Sequence, residues 1–315
     1  MSPRRRLGRG AAIVIAAAVV IALAAAIALV VWFTTRGDSA EAGAQRYLDA
    51  LASGDADEVR ATVTADAMPG DTTLNAFEAA SSYLREPTVT STEASTDGTA
   101  TVSATYSIAQ EARTVTFTVR QEDGRWLADA DALGALAATT SIGDAVSVGD
   151  VVLETSATLI ALPAAYAVTA TPAGILTGEA EVVVTPGETT QVAVSASLTP
   201  DAAANAQPAV NAYLEACTAS SPETPAPTSP ASCGIGIPWG ADLASAQGFV
   251  FRIETLPTVA LDATGGFIAG GGSYVVTVSG LKRDGTPGEF TYRDDAWTLR
   301  GALVFTGGEL VLQAW

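Results

Sequence analysis

The chain has no histidine, two cysteines, two methionines and a single lysine among its 315 residues. Without histidine it lacks the commonest general base and the commonest metal ligand, and a Ser-His-Asp triad is impossible. A zinc site would have to draw on Cys217 and Cys233. These two do not form the redox-active C-x-x-C pattern; they flank a segment rich in Pro, Ser and Thr, and a disulfide closing that segment is expected in an oxidising compartment. The lone Lys282 completes Ser279-Gly-Leu-Lys, an S-x-x-K match. Its serine ends a strand-like run, and the Ser-Asp-Asn and Lys-Thr-Gly partners of that chemistry are absent. No D-x-D-x-D-G run offers a calcium loop. Gly270-Gly-Gly-Ser lacks the G-K-[ST] ending of a phosphate loop and reads as a flexible hairpin before a strand. The acidic groups Asp55/Asp57/Glu58, Asp129/Asp131 and Asp294/Asp295 sit where caps, turns and strand ends are expected. No catalytic residue, cofactor-binding residue or metal ligand emerges, no cofactor is implied, and the chain is read as not an enzyme.

Charge is missing altogether from residues 11–33, which also contain no Pro and no Gly. As a helix, such a run measures roughly 34 Å, enough for a hydrocarbon core of about 30 Å. Arg4, Arg5, Arg6 and Arg9 precede it and only Arg36 follows closely. The positive-inside rule therefore places residues 1–10 in the cytoplasm and the rest outside, as a single-pass membrane protein. A cleaved signal peptide would have a shorter apolar core and a small-residue cleavage site, so an uncleaved anchor is favoured. Beyond Gly37 there are eleven basic and 34 acidic residues, a formal charge of −23. Such a surface repels nucleic acid, which is excluded as a partner. Fifteen Arg against one Lys, with abundant Ala, read as high-GC coding bias.

The remainder divides by pattern into residues 38–136, 137–200 and 201–315. In the first segment Asp38 and Glu41 have capping-box spacing, and Ala44, Tyr47, Leu48 and Leu51 follow at helical period up to Ser53-Gly54. Asp55 can cap a second helix reaching Val63, and Leu74, Phe77, Ala80, Tyr83 and Leu84 predict a third that stops before Pro87. Residues 88–92, 99–108, 113–120 and 126–130 then alternate as strands, with Asp97-Gly98 and Asp123-Gly124 as turns. Residues 137–200 are Val- and Thr-rich runs between Gly and Pro turns. In the last segment Asp201 opens a helix through Cys217, and strands are expected at 249–253, 258–261, 272–278, 289–293, 298–305 and 310–314. Tyr47-Leu-Asp-Ala has a counterpart in Tyr213-Leu-Glu-Ala, and Phe117-Thr-Val-Arg with Trp126 has one in Phe290-Thr-Tyr-Arg with Trp297. The last segment thus reads as a diverged second copy of the first.

The opening helix Glu41-Ala-Gly-Ala-Gln-Arg-Tyr-Leu-Asp-Ala-Leu, the Ser-Gly-Asp after it and Val-Arg-Gln-Glu-Asp-Gly-Arg-Trp-Leu resemble the nuclear-transport-factor-like, or cystatin-like, superfamily. That resemblance implies an α+β cone, a sheet wrapped around a helix. Some members are enzymes such as ketosteroid isomerase, and an isomerase-like site would need an acid and a tyrosine such as Tyr83 or Tyr106 to converge inside the cone. Leu162-Pro-Ala-Ala-Tyr-Ala-Val-Thr-Ala-Thr with Pro186-Gly-Glu-Thr-Thr-Gln-Val-Ala-Val looks like a PEGA-type β-sandwich, a spacer or docking module. The order of Tyr-Leu-Glu-Ala-Cys, Pro-rich loop, Cys and an all-β end resembles single-pass membrane proteins of actinobacteria, a group that brings no known activity. The fold expected is therefore an N-terminal transmembrane helix with an α+β ectodomain, two cones flanking an all-β sandwich. The function expected is binding or scaffolding in a bacterial cell envelope with a protein partner. The alternative is capture of a lipid or cell-wall fragment in the cones.

Overall fold

The computed structural model describes residues 39–219 and 233–315. The expected cytoplasmic tail and transmembrane segment, residues 1–10 and 11–33, lie outside the described residues. Among the described residues no helix is long and apolar enough to cross a membrane. The described chain forms two compact units: one runs up to Ala135 and adds Ile160–Tyr166 and Val183–Thr190, and the other takes Leu136–Leu159, Ala167–Val182 and Gln191–Trp315.

In the first unit, α1 (Ala40–Ser53) starts at Ser39, whose hydroxyl accepts from the Ala42 amide, and ends at Gly54 with φ 74°. Ala44, Tyr47, Leu48 and Leu51 are fully buried on the face turned to the sheet. Tyr47 meets Phe117 edge-on, centroids 5.7 Å apart, and its hydroxyl donates to the Ala132 carbonyl at 2.7 Å. Asp55 caps the short α2 (Ala56–Arg60), taking the Asp57 and Glu58 amides. Then α3 (Asp71–Glu78) ends six residues before Leu84, the end the apolar spacing predicts. Tyr83 folds back at that point, its ring against Phe77 and its hydroxyl 3.1 Å from the last helical carbonyls, those of Phe77 and Glu78. The sheet is antiparallel in the order β1 (Arg85–Ala94), β2 (Thr99–Ile108), β3 (Glu111–Glu122), β4 (Arg125–Ala128). Asp123-Gly124 turns the last hairpin as expected, whereas the β2–β3 turn falls on Ala109 and Gln110, with φ 48° and 68°.

Strands β5 to β13 follow between Gly134 and Leu198, in four-, three- and two-stranded sheets. In the second unit α4 (Ala202–Thr218) buries Ala202, Ala206, Val210 and Leu214 at four-residue spacing. Cys217 near its end is bonded to Cys233, Cα atoms 6.0 Å apart, the pairing expected from the sequence. The buried Trp297 indole donates to the Cys233 carbonyl at 3.0 Å, tying the disulfide to the sheet behind it. That sheet runs β14 (Ser245–Thr255), β16 (Gly266–Leu281), β17 (Pro287–Thr306), β18 (Glu309–Ala314), with β15 (Thr258–Leu261) beside β16. It forms a half-barrel.

The expectation of an α+β ectodomain made of two cones is corrected by these elements. Strand makes up 52% of the structure and helix 19%, so the fold is mainly β. The physical reason lies in lengths. Two of the expected helices shrink to five and eight residues. The strands expected at 289–293 and 298–305 fuse into a single 20-residue strand. The β-rich content does fit the β-sandwich part of the expectation.

The two units share one local device. Gln45 donates to Asp49 Oδ1 (2.8 Å) and the Pro87 carbonyl (3.0 Å), and its own oxygen accepts from the Val89 amide (3.2 Å). Gln207 donates to Asn211 Oδ1 (2.7 Å) and the Pro257 carbonyl (3.0 Å), and accepts from the Val259 amide (2.8 Å). In each unit a glutamine one turn before an Asp or Asn bolts the helix to a Pro-Thr-Val strand. This aligns Gln45 with Gln207, one helical turn away from the alignment of Tyr47 with Tyr213. Burial agrees, because Tyr47 is fully buried and Tyr213 is only half-buried.

Candidate functional site

The tyrosines and acids singled out in the sequence are not brought together. Tyr83 caps α3, while Tyr106 is buried on the helix-facing side of β2, its hydroxyl pushed up to about 12 by desolvation against the opposing pull of Arg113. Asp131 spends both oxygens on Thr118, accepting from its amide at 2.9 Å and its hydroxyl at 2.7 Å. Asp129 accepts from Arg120 and from the Ala130 amide, and its bond to Arg120 holds the guanidinium above its ordinary pKa. Asp294 accepts from the Ala296 amide, and Asp295 pairs with Arg293 at 2.7 Å. Ser279 lies within β16, and Lys282 follows the strand with its ammonium 6.0 Å from the Phe290 ring centre. Gly270–Gly272 is a register shift inside β16, not the hairpin expected there. Among the described residues no group of three or more His, Cys, Asp or Glu is placed to hold a metal ion.

A cleft of about 380 Å³ lies within the first unit. It is lined by the loop Asp66–Gly70, Thr73 of α3, Ala130, Asp131, Leu133–Ala135, Ile160 and Gly187–Thr189. Short polar links tie these stretches together. Thr73 donates its hydroxyl to the Ile160 carbonyl at 2.7 Å, the Gly187 amide reaches the Leu133 carbonyl at 2.8 Å, and the Ala135 amide reaches the Glu188 carbonyl at 2.9 Å. Gly134 allows close approach here, since a Cβ there would fall 2.4 Å from the Thr185 carbonyl.

Two large apolar side chains of the lining face water, Met68 with 47% and Ile160 with 57% of its surface exposed. Isolated exposed apolar residues are ordinary; two that line one concavity mark a candidate contact surface. The charged members are carboxylates. Asp66 pairs with Arg120 at 3.6 Å, Asp131 is held by Thr118, and Glu188 accepts from the Thr185 hydroxyl at 3.0 Å. The lining contains no Lys or Arg. Apolar and acidic groups in one concavity make a receptor for a group with an aliphatic body and a positive end. Sequence reasoning passes over these residues because they come from four separate stretches. The one local signal is Met68-Pro-Gly, a large apolar side chain in a polar loop. Comparison with protein-family models, with curated proteins and with solved structures finds no match to this chain.

Proposed function

We propose that this chain is a membrane-anchored binding or scaffolding module on the outer side of a bacterial cell membrane, and that the cleft lined by Met68 and Ile160 is where a protein partner docks. The apolar run at residues 11–33 and the arginines before it support the anchoring and the orientation. The carrying observation is the pair of exposed apolar side chains, Met68 and Ile160, in one concavity that Asp66, Asp131 and Glu188 also line. The charge of −23 beyond residue 37 adds a long-range preference for basic partners.

The test places a photo-crosslinking amino acid at Ile160, and separately at Met68, in the full-length protein in cells, followed by mass spectrometry of adducts. A specific envelope protein captured from both positions, and lost with Glu188→Lys, supports the reading. Adducts no different from those of an exposed control position such as Thr101 reject it. Capture of a lipid or cell-wall fragment is the second reading, and the cleft volume of about 380 Å³ admits it. Thermal shifts with aliphatic amines, lipids and muropeptides distinguish it from protein docking.

A further inference from the structure

We propose that the open edge of β3 at residues 112–116 is a strand-addition site for an extended peptide segment of the partner that carries a basic residue. The inference rests on the reading of the molecule as a binding module and specifies how the partner is held. Strand β3 is paired with β2 from Ile108↔Glu111 to Thr99↔Arg120. On its other flank β4 covers only Val119–Glu122. At Thr118 the chain completes the pairing itself: the amide donates to Asp131 Oδ1 at 2.9 Å, and the carbonyl accepts from the Asp129 amide at 3.0 Å. In an antiparallel ladder the backbone groups of alternate residues face the same flank. Thr116 and Thr114 therefore aim their N–H and C=O groups the same way as Thr118, toward a flank where no strand pairs with them among the described residues.

An unpaired strand edge is a template for another strand. What decides the occupant is the opposite wall. A slot of about 360 Å³ lies between Arg113–Thr116 and the residues Thr185, Pro186 and Glu188. A second copy of a folded sheet would need an open flank, which that wall denies; a single extended chain needs only the slot. Two side chains then set its chemistry. Glu188 pairs with no basic side chain among the described residues, its carboxylate taking only the Thr185 hydroxyl at 3.0 Å. Arg113 gives its terminal nitrogen to Glu111 at 3.0 Å, so its charge is already matched. A Lys or Arg side chain on the peptide would face Glu188, the residue this slot shares with the cleft beside Met68 and Ile160.

The probe is a library of random linear peptides displayed on phage, selected on the full-length protein in detergent micelles. Selected peptides are measured against the unaltered protein, Thr116→Pro and Glu188→Gln. Proline at position 116 removes an outward donor without touching the ladder to β2, a placement edge strands tolerate. The expected result is that selected peptides share a Lys or Arg at a fixed position. Thr116→Pro should weaken them about tenfold or more with unchanged melting. Glu188→Gln should weaken them and flatten their salt dependence. Amide exchange at Thr114 and Thr116 should slow when peptide is bound, a readout that needs no variant. No selectable peptide, or binding that leaves both amides exchanging freely, overturns the proposal. If crosslinks from Ile160 still capture a partner when Thr116 is proline, strand addition fails and the binding reading stands. If neither position captures anything, both fail.

Discussion

Replacing Gln45 or Gln207 tests whether the shared glutamine device holds helix to strand. Gln45→Ala removes a hydrogen bond to Asp49 and strands two backbone groups, the Pro87 carbonyl and the Val89 amide. Each lost bond is worth about 1 kcal/mol net, and the half-buried setting lets water recover part of it, so a loss of about 2 kcal/mol is expected at either site. Glutamate separates the two sites. In both variants the carboxylate still accepts from the valine amide but no longer donates to the proline carbonyl. Gln45→Glu also sets a carboxylate against Asp49, whose oxygen lies 2.8 Å from the nitrogen it replaces, whereas Gln207→Glu faces the neutral Asn211. Protonation relieves the repulsion in the folded state more than in the unfolded one. Gln45→Glu should therefore lose more stability at pH 7 than at pH 4, by about 1–2 kcal/mol, and Gln207→Glu, where protonation only restores a donor to the Pro257 carbonyl, should show a smaller pH dependence. With two units a single unfolding free energy is ill-defined. The assay is amide exchange at Val89 and Val259, supported by denaturant curves. Equal pH dependence of the two glutamate variants, or unaltered Val89 exchange in Gln45→Ala, would refute the reasoning.

The β2–β3 turn places Ala109 and Gln110 at φ 48° and 68°; Ala109→Asn with Gln110→Gly supplies the residues such a turn favours and should stabilise the first unit by about 1 kcal/mol in denaturant titrations. Cys217→Ser with Cys233→Ser opens a link between residues 16 apart in sequence. It should cost about 3 kcal/mol in the second unit and change the emission of Trp297, whose indole bonds to Cys233, on chemical unfolding with and without reductant. Burial raises the hydroxyls of Tyr47, Tyr106 and Tyr166, Tyr106 to about 12. Because the folded values lie above the unfolded one, this stability is complete below about pH 10 and is lost as pH rises through the folded values, which melting curves across that range will show for the first unit. Asp97, Asp262 and Asp284 are lowered by hydrogen bonds from the threonine two residues on. Their contribution is complete above the unfolded carboxylate range and should fade below about pH 4, more weakly when Thr99, Thr264 and Thr286 are alanine.

Local chemistry was legible where one residue type determines one conformation. Gly54 ends α1, Asp55 caps α2, Asp123-Gly124 turns a hairpin, and the two cysteines pair because nothing else competes for them. Legibility fails where context overrides composition. Ala109-Gln110 carries no turn residue, so a tight hairpin there is invisible. Asp294-Asp295 looks like a turn; it is a bulge, with the Asp294 carboxylate taking the Ala296 amide, beside a second bulge at Gly270–Gly272 on the neighbouring strand. Bulges bend strands without ending them, which is how the sequence of two short strands becomes one wall of a half-barrel. Aligning Tyr47 with Tyr213 misses the equivalent bonds of Gln45 and Gln207 by one turn, because an amphipathic helix nearly matches itself after one turn. The candidate site was illegible for a deeper reason. Its cleft assembles four stretches of ordinary composition, and its proposed strand edge works through backbone N–H and C=O groups that nearly every residue carries. Such a site has no residue signature. It becomes visible when the pairing shows β4 stopping at Val119 and leaving Thr116 and Thr114 with no strand beyond them.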